Sequence, residues 1–323
     1  MRNLYIIGNG FDSYHGLDTK YWSFAKYLNQ IDKEVYELVL KYYGLPDISK
    51  NYEYDAWAKF ELSMADLDFE QVLDDYSDSI ANLGGEDFRD SDWHTYQIDM
   101  ERIVEKLTKR LISIFNDFIV NVQYPDNIED SKLKLLSPSI FLSFNYTDTL
   151  QRYYNISIKD ICYIHDKSSK EECKIILGHG TDPSKFEVKG FESQKEQNED
   201  ELEQWREYMA DQYDYSYESA KYEILSYYNK AFKNTLNIIN KNIAFFERLN
   251  NVESIFVLGH SISEVDIKYF EAVKKYVTPE ARWYVTYYKD NEKEKHFETL
   301  TKIGVKFENL SLIKMYALRK AYV

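Results

Sequence analysis

The chain has 323 residues, enough for one large α/β domain with insertions. Its 44% hydrophobic and 29% charged residues place it among globular rather than disordered chains. A net charge of -15 excludes broad electrostatic binding to nucleic acid or anionic lipid.

Leu4-Tyr5-Ile6-Ile7 predicts a buried strand that ends at Gly8. The run is too short for a signal peptide, and no stretch reaches the roughly 18 apolar residues of a membrane span. Gly8-Asn9-Gly10 removes two Cβ atoms where the chain turns, which lets a phosphate approach backbone N–H groups. A tight turn without ligand needs the same glycines, and the third glycine of a full dinucleotide fingerprint is absent. Asp12 or Ser13 is placed to cap the helix that follows.

Spaced apolar residues (Trp22, Phe24, Ala25, Leu28, Ile31) predict a helix over 21–43, stopped by Gly44-Leu45-Pro46. A second helical tract covers 56–80 and ends at Gly84-Gly85, and a long amphipathic helix covers 93–122. Residues 44–125 thus form a helical insertion. Three strands then follow, each ending in polar residues: 140–144 at Asn145-Tyr146-Thr147-Asp148, 161–164 at His165, and 174–177 at Gly178-His179-Gly180. Acidic residues crowd 194–214, with Glu196, Glu199, Asp200, Glu201 and Glu203 reading as a solvated surface. With a helix over 219–249 they make an acidic and helical insertion at 185–250. The strand at 254–258 breaks at Gly259-His260-Ser261, and strands at 282–288 and 305–308 close the pattern.

Strands alternating with helices predict a single α/β domain over 1–323, with a mainly parallel Rossmann-like sheet flanked by helices. Ligands on such sheets bind outside the carboxyl ends of the strands. Gly8, Asn145, His165 and Gly259 are therefore candidates for one shared pocket.

Asn145 can hydrogen-bond a ribose hydroxyl or position a water, or can simply stabilise a strand-end turn. Thr147 and Asp148 could cap a helix through Leu150 and Tyr153. His165 is a candidate general base near neutral pH, and His179 and His260 each follow a glycine at a strand end. No short His spacing suggests a metal, so none is expected. Ser261 lacks the Gly-x-Ser-x-Gly elbow of a hydrolytic nucleophile, because position 263 is Ser263. Cys162 and Cys173, the only cysteines, form no Cys-x-x-Cys pair, which argues for free thiols in a reducing cytoplasm.

Ile6-Ile7-Gly8-Asn9-Gly10-Phe11-Asp12 with Gly16-Leu17, Ser143-Phe144-Asn145-Tyr146-Thr147, Ile164-His165, Leu177-Gly178-His179-Gly180, and Gly259-His260-Ser261 with Asp266 and Tyr269-Phe270 together resemble the AbiH family of bacterial abortive-infection proteins. That family is in turn similar to sirtuin-like NAD-binding domains. The resemblance implies a cytoplasmic antiphage protein whose pocket takes NAD or NADP and cleaves it to nicotinamide and an ADP-ribose product. It implies that Asn145 contacts the ribose and His165 is the base. Gly8, Asn9, Gly10, Phe11, Asp12 and Thr147, with Gly259, His260 and Ser261, would bind the nucleotide. A nucleotide-binding sensor without turnover is the alternative. A phage trigger or partner protein and a homo-oligomer are also implied, with no membrane. Position 166 is Asp166 where the sirtuin-like motif has glycine, a departure that would crowd the site or reorient His165. The four-cysteine zinc module of protein deacylases is missing.

Overall fold

Six short strands, β1 (Arg2–Ile7), β2 (Ser139–Ser143), β3 (Ile161–Tyr163), β4 (Val252–Leu258), β5 (Arg282–Tyr287) and β6 (Leu310–Lys314), form one sheet in the order β3-β2-β1-β4-β5-β6. Every pairing in it is parallel. The structure is a computed structural model that describes residues 2–50, 54–80, 94–186 and 215–319. From β1 the chain builds outward through β2 and β3, then returns past β1 to build β4, β5 and β6 on the other side. The reversal leaves a crevice between the carboxyl ends of β1 and β4.

Both faces of the sheet are covered, which is why its strands read as apolar runs rather than alternating ones. Leu4, Ile6, Ile140, Leu142, Ile255 and Val257 face a core that includes Tyr269, Phe270 and Val273 of the helix Ile267–Tyr276. Each such buried aliphatic side chain contributes about 1.5–3 kcal/mol. On the opposite face the register places Tyr5 beside Phe141 and Phe256, and Phe256 beside Tyr284. Their rings stack at 4.8–5.3 Å across four strands. A third core joins helices between Trp22 and Ile119 to Ala220, Ile224 and Tyr227 of the helix Tyr215–Lys230. That helical layer meets the sheet at its carboxyl edge, where Tyr146, Ile175 and Leu177 enter the same core.

Several expected elements are redrawn. Residues 174–177 form no strand: Ile175 and Leu177 are apolar because they enter the helical core, and the Ile176 amide donates to the His165 carbonyl at 2.9 Å. The last strand is Leu310–Lys314 rather than 305–308, because Gly304 at φ 92 turns Val305 back onto Leu300 and a 3-10 turn at Phe307–Asn309 intervenes. The helix over 21–43 breaks at Asp32, whose carboxylate caps the second half through the Val35 amide. The tract over 56–80 is a series of short helices, with Asp68 capping Phe69–Asp75.

The helix over 219–249 ends at Lys230 and restarts at Thr235 under an Asn234 cap. The long amphipathic helix runs from Thr95 to Val120 and contains a π segment at Lys106–Arg110. Its expected start at Trp93, the Gly84-Gly85 stop and the acidic run from Glu196 to Glu203 lie outside the described residues. No helix among the described residues is long and apolar enough to cross a membrane.

Candidate functional site

A cavity of about 450 Å³ lies at the carboxyl ends of β1 to β4. Gly8, Asn9, Gly10 and Asp12 reach it from β1, Asn145 and Thr147 from β2, His165 from β3, and Gly259, His260 and Ser261 from β4. Phe11 does not reach it. That side chain is fully buried beneath the turn, 4.3 Å from the His15 ring.

The two glycine turns are packed backbone against backbone. A Cβ on Gly259 would stand 2.2 Å from the Phe11 nitrogen, and one on Gly8 would stand 2.6 Å from the His260 Cα. The Gly8 amide donates to the Leu258 carbonyl at 2.9 Å, Gly10 to the Gly259 carbonyl at 2.7 Å, and Phe11 to the Gly8 carbonyl at 2.9 Å. Close approach of two turns therefore accounts for these glycines, and three amides of the loop are already bonded within the protein. Gly8, in extended conformation, is itself the N-cap of helix α1 (Asn9–Tyr14), so Asp12 and Ser13 lie inside the helix and cap nothing.

Asp12 has a different task. Its buried carboxylate accepts hydrogen bonds from the Thr147 and Thr149 hydroxyls, each at 2.7 Å. Thr147 thus serves Asp12 instead of capping, and the helix Thr149–Tyr154 starts without a side-chain cap. Burial raises the Asp12 pKa to about 6 against the pull of Thr147, Thr149 and Asn145. Asn145 Nδ2 donates to the Gly8 carbonyl at 3.1 Å, tying the β2 exit to the glycine turn.

The other side of the cavity is charged. Lys233, wholly buried, donates to Glu61 at 2.5 Å and to Asp266 at 3.1 Å. Burial alone would lower its pKa, but Asp266 and Glu61 outweigh that and hold it above the ordinary lysine range. The amine is thus protonated and is no nucleophile. Asp266 also accepts from the Ser263 hydroxyl at 3.2 Å, and Glu61 from the Tyr21 hydroxyl at 2.5 Å. Glu61, Ser263, Asp266 and Tyr21 line the cavity.

His165 is 3% exposed, with Nε2 3.2 Å from the Tyr269 hydroxyl and 3.9 Å from Asp266. Burial, then Lys233 and His260, hold its pKa well below the ordinary histidine value, so the ring is neutral at pH 7. His260 is pulled down to about 3 by burial, then by His296 and Lys233. Phe144 stands edge-on to both rings, 5.3 Å from His165 and 4.4 Å from His260. Asp166 adopts φ 59, the left-handed conformation that suits glycine, and is exposed and away from the cavity lining. It therefore does not crowd His165.

His179 is brought elsewhere, among the rings of Phe186, Tyr227, Tyr228 and Phe232. Its glycines explain the motif. A Cβ on Gly178 would stand 2.1 Å from the Ala231 carbonyl, and one on Gly180 would stand 3.2 Å from the Val265 Cα. The segment is wedged against the two stretches that carry Lys233 and Asp266, and the Lys233 amide donates to the His179 carbonyl at 2.8 Å.

Glu61 and Lys233 escaped the sequence reading, and Asp266 entered it only as a member of a motif. The one local signal for Lys233 is the Asn234-Thr235 helix start, which marks a break just where the lysine sits. Among the described residues, no group of three or more His, Cys, Asp or Glu side chains is placed to hold a metal ion.

A parallel sheet with a polar cavity at its topological switch point defines a Rossmann-like α/β protein, the class whose ligands bind at the carboxyl ends of the strands. The family described as "Bacteriophage abortive infection AbiH" matches residues 4–287, a span that contains every residue of the cavity wall, and the chain belongs to that family. Neither curated proteins nor solved structures provide a match.

Proposed function

We propose that the cavity is a sirtuin-like nucleotide site that binds NAD or NADP and hydrolyses it to nicotinamide and an ADP-ribose product, which gives the chain its part in abortive infection. The observation that carries this reading is the convergence of an amide, an imidazole and three carboxylates on one switch-point cavity: Asn145, His165, Asp12, Glu61 and Asp266. Two exposed lysines in the same lining, Lys20 and Lys59, suit the phosphates.

The chemistry follows from charge. As the bond between ribose C1′ and the pyridinium nitrogen breaks, its electron pair leaves with neutral nicotinamide and positive charge develops on the ribose ring. Preorganised carboxylates on the cavity wall, Asp12 and Glu61, stabilise that charge more than bulk water would, whereas Asp266 is turned to the imidazoles. Asn145, fixed to Gly8, orients the ribose or the attacking water. The water oxygen bonds to C1′ and its proton passes to His165.

The decisive test is nicotinamide release from NAD and from NADP, with and without an infection trigger. His165→Ala is expected to lower turnover by about 10²–10⁴-fold, and Asn145→Ala to lower it as well. Turnover that survives both substitutions sinks the residue assignment. A second reading, a sensor that binds nucleotide without turnover, draws on the depth of His165 and its existing contact with Tyr269. Tight binding with no release under any condition selects it.

A further inference from the structure

Asp266 faces both imidazoles of the cavity. Its Oδ1 lies 3.1 Å from the Lys233 ammonium and 3.9 Å from His165 Nε2, while its Oδ2 lies 3.2 Å from the Ser263 hydroxyl and 3.7 Å from His260 Nε2. The two rings differ in what they can accept. His260 Nδ1 takes the Ile262 N–H at 2.9 Å, so its proton sits on Nε2 and the neutral ring has no lone pair left. His165 Nε2 meets a tyrosine hydroxyl, which can rotate to donate to it or accept from it. Of these two rings, His165 is the one able to take a proton.

A proton on His165 creates a cation in a buried place, beside Lys233. The cluster around it is charged to receive one. Glu61 and Asp266 bring two negative charges to the single positive charge of Lys233, so the triad carries one surplus negative charge. Protonation of His165 neutralises the group. Lys233 and Ser263 meanwhile hold the Asp266 carboxylate in place on both oxygens. Each member comes from a different part of the chain, and the wedge at Gly178 and Gly180 braces the backbone beside Lys233 and Asp266.

We propose that Asp266, aimed by Lys233 and Ser263, is a positioning residue that supplies the counter-charge for the His165 imidazolium formed during turnover; the proposal rests on the hydrolase reading above. It acts through His165, which makes its effect separable from a structural one. Asp266→Asn leaves Lys233 paired with Glu61, so the fold has a means to survive the change.

The test is a double-mutant cycle on nicotinamide release by the full chain, with NAD affinity and thermal melting measured beside it. Asp266→Asn is expected to lower kcat by about 10²-fold with KM and NAD affinity unchanged. His165→Ala is expected to lose at least as much, and the double variant to be no slower than His165→Ala alone, because the counter-charge has nothing left to serve. Losses that multiply in the double variant overturn the proposal, as does an Asp266→Asn protein with the wild-type kcat. Should Asp266→Asn fail to fold, Asp266→Glu takes its place: a smaller loss of kcat, likewise absent in the His165→Ala background, is expected, and a multiplicative loss overturns the idea. A wild-type protein that binds NAD but releases no nicotinamide overturns the hydrolase reading and the proposal together. Turnover lost in His165→Ala with multiplicative losses removes the proposal alone.

Discussion

The side of the cavity made by the β1 and β4 turns is backbone against backbone, whereas the side made by Glu61, Lys233 and Asp266 is charge against charge. The first has little room to adapt, since the missing Cβ atoms of Gly8, Gly10 and Gly259 are what let the turns touch. The second is assembled from distant segments, with a lysine that would be prohibitively placed without two carboxylates. The difference teaches that the glycine turns set the shape of the site, and that the buried ions set its chemistry.

Gly259→Ala should break the first side most severely. The added methyl meets the Phe11 nitrogen and the Gly10 carbonyl carbon, both backbone atoms, at a residue with φ 63. Neither atom can rotate away, and the left-handed conformation adds its own penalty, so a loss above about 5 kcal/mol is expected. Urea unfolding of the variant measures it, and a protein of nearly wild-type stability would remove the close-packing account of these turns.

Lys233→Met tests the second side. It leaves Glu61 and Asp266 facing each other without their shared cation, which should cost about 3–5 kcal/mol. Neutralising Asp266 in the same chain should recover part of the loss, because fewer unpaired charges then remain. Melting curves of the single and double variants decide it. If the double variant is no better than the single one, the lysine is held by packing rather than by its ion pairs.

These two sides were unequally legible in the sequence. Leu4 to Ile7 and Ile255 to Leu258 are local runs of apolar residues followed by glycine, and a local rule suffices to mark strand, turn and a place at the carboxyl edge. The ends at Asn145, His165 and Gly259 followed from the same rule. It failed at 174–177, where the apolar pattern serves a second core instead of the sheet. Lys233 looked like one more polar residue in a long helix, since nothing near it in sequence announces carboxylates 172 and 33 positions away. A local rule offers Asp12 or Ser13 as the helix cap, whereas the partners of Asp12, Thr147 and Thr149, come from the neighbouring strand's exit.

Asp12 sharpens the comparison, since it is a buried carboxylate held by hydroxyls instead of an ammonium. Burial raises its pKa from 3.8 to about 6 in the folded chain. Below about pH 3 the group is largely protonated in both folded and unfolded states. Between about pH 4 and 6 the folded chain holds more protons than the unfolded one, so the stability that this group contributes is lost as pH rises. The shift corresponds to about 3 kcal/mol over the full window. Asp12→Asn has no proton to release, and its two threonine neighbours can each turn to donate or accept. Relative to the variant, wild type should therefore lose about 2.4 kcal/mol between pH 4 and pH 7.5. Urea midpoints of both proteins at the two pH values read the difference directly. A difference that stays constant would mean that the threonine hydroxyls stabilise the Asp12 carboxylate as well as water does, and the contrast between the two sides would then rest on Lys233 alone.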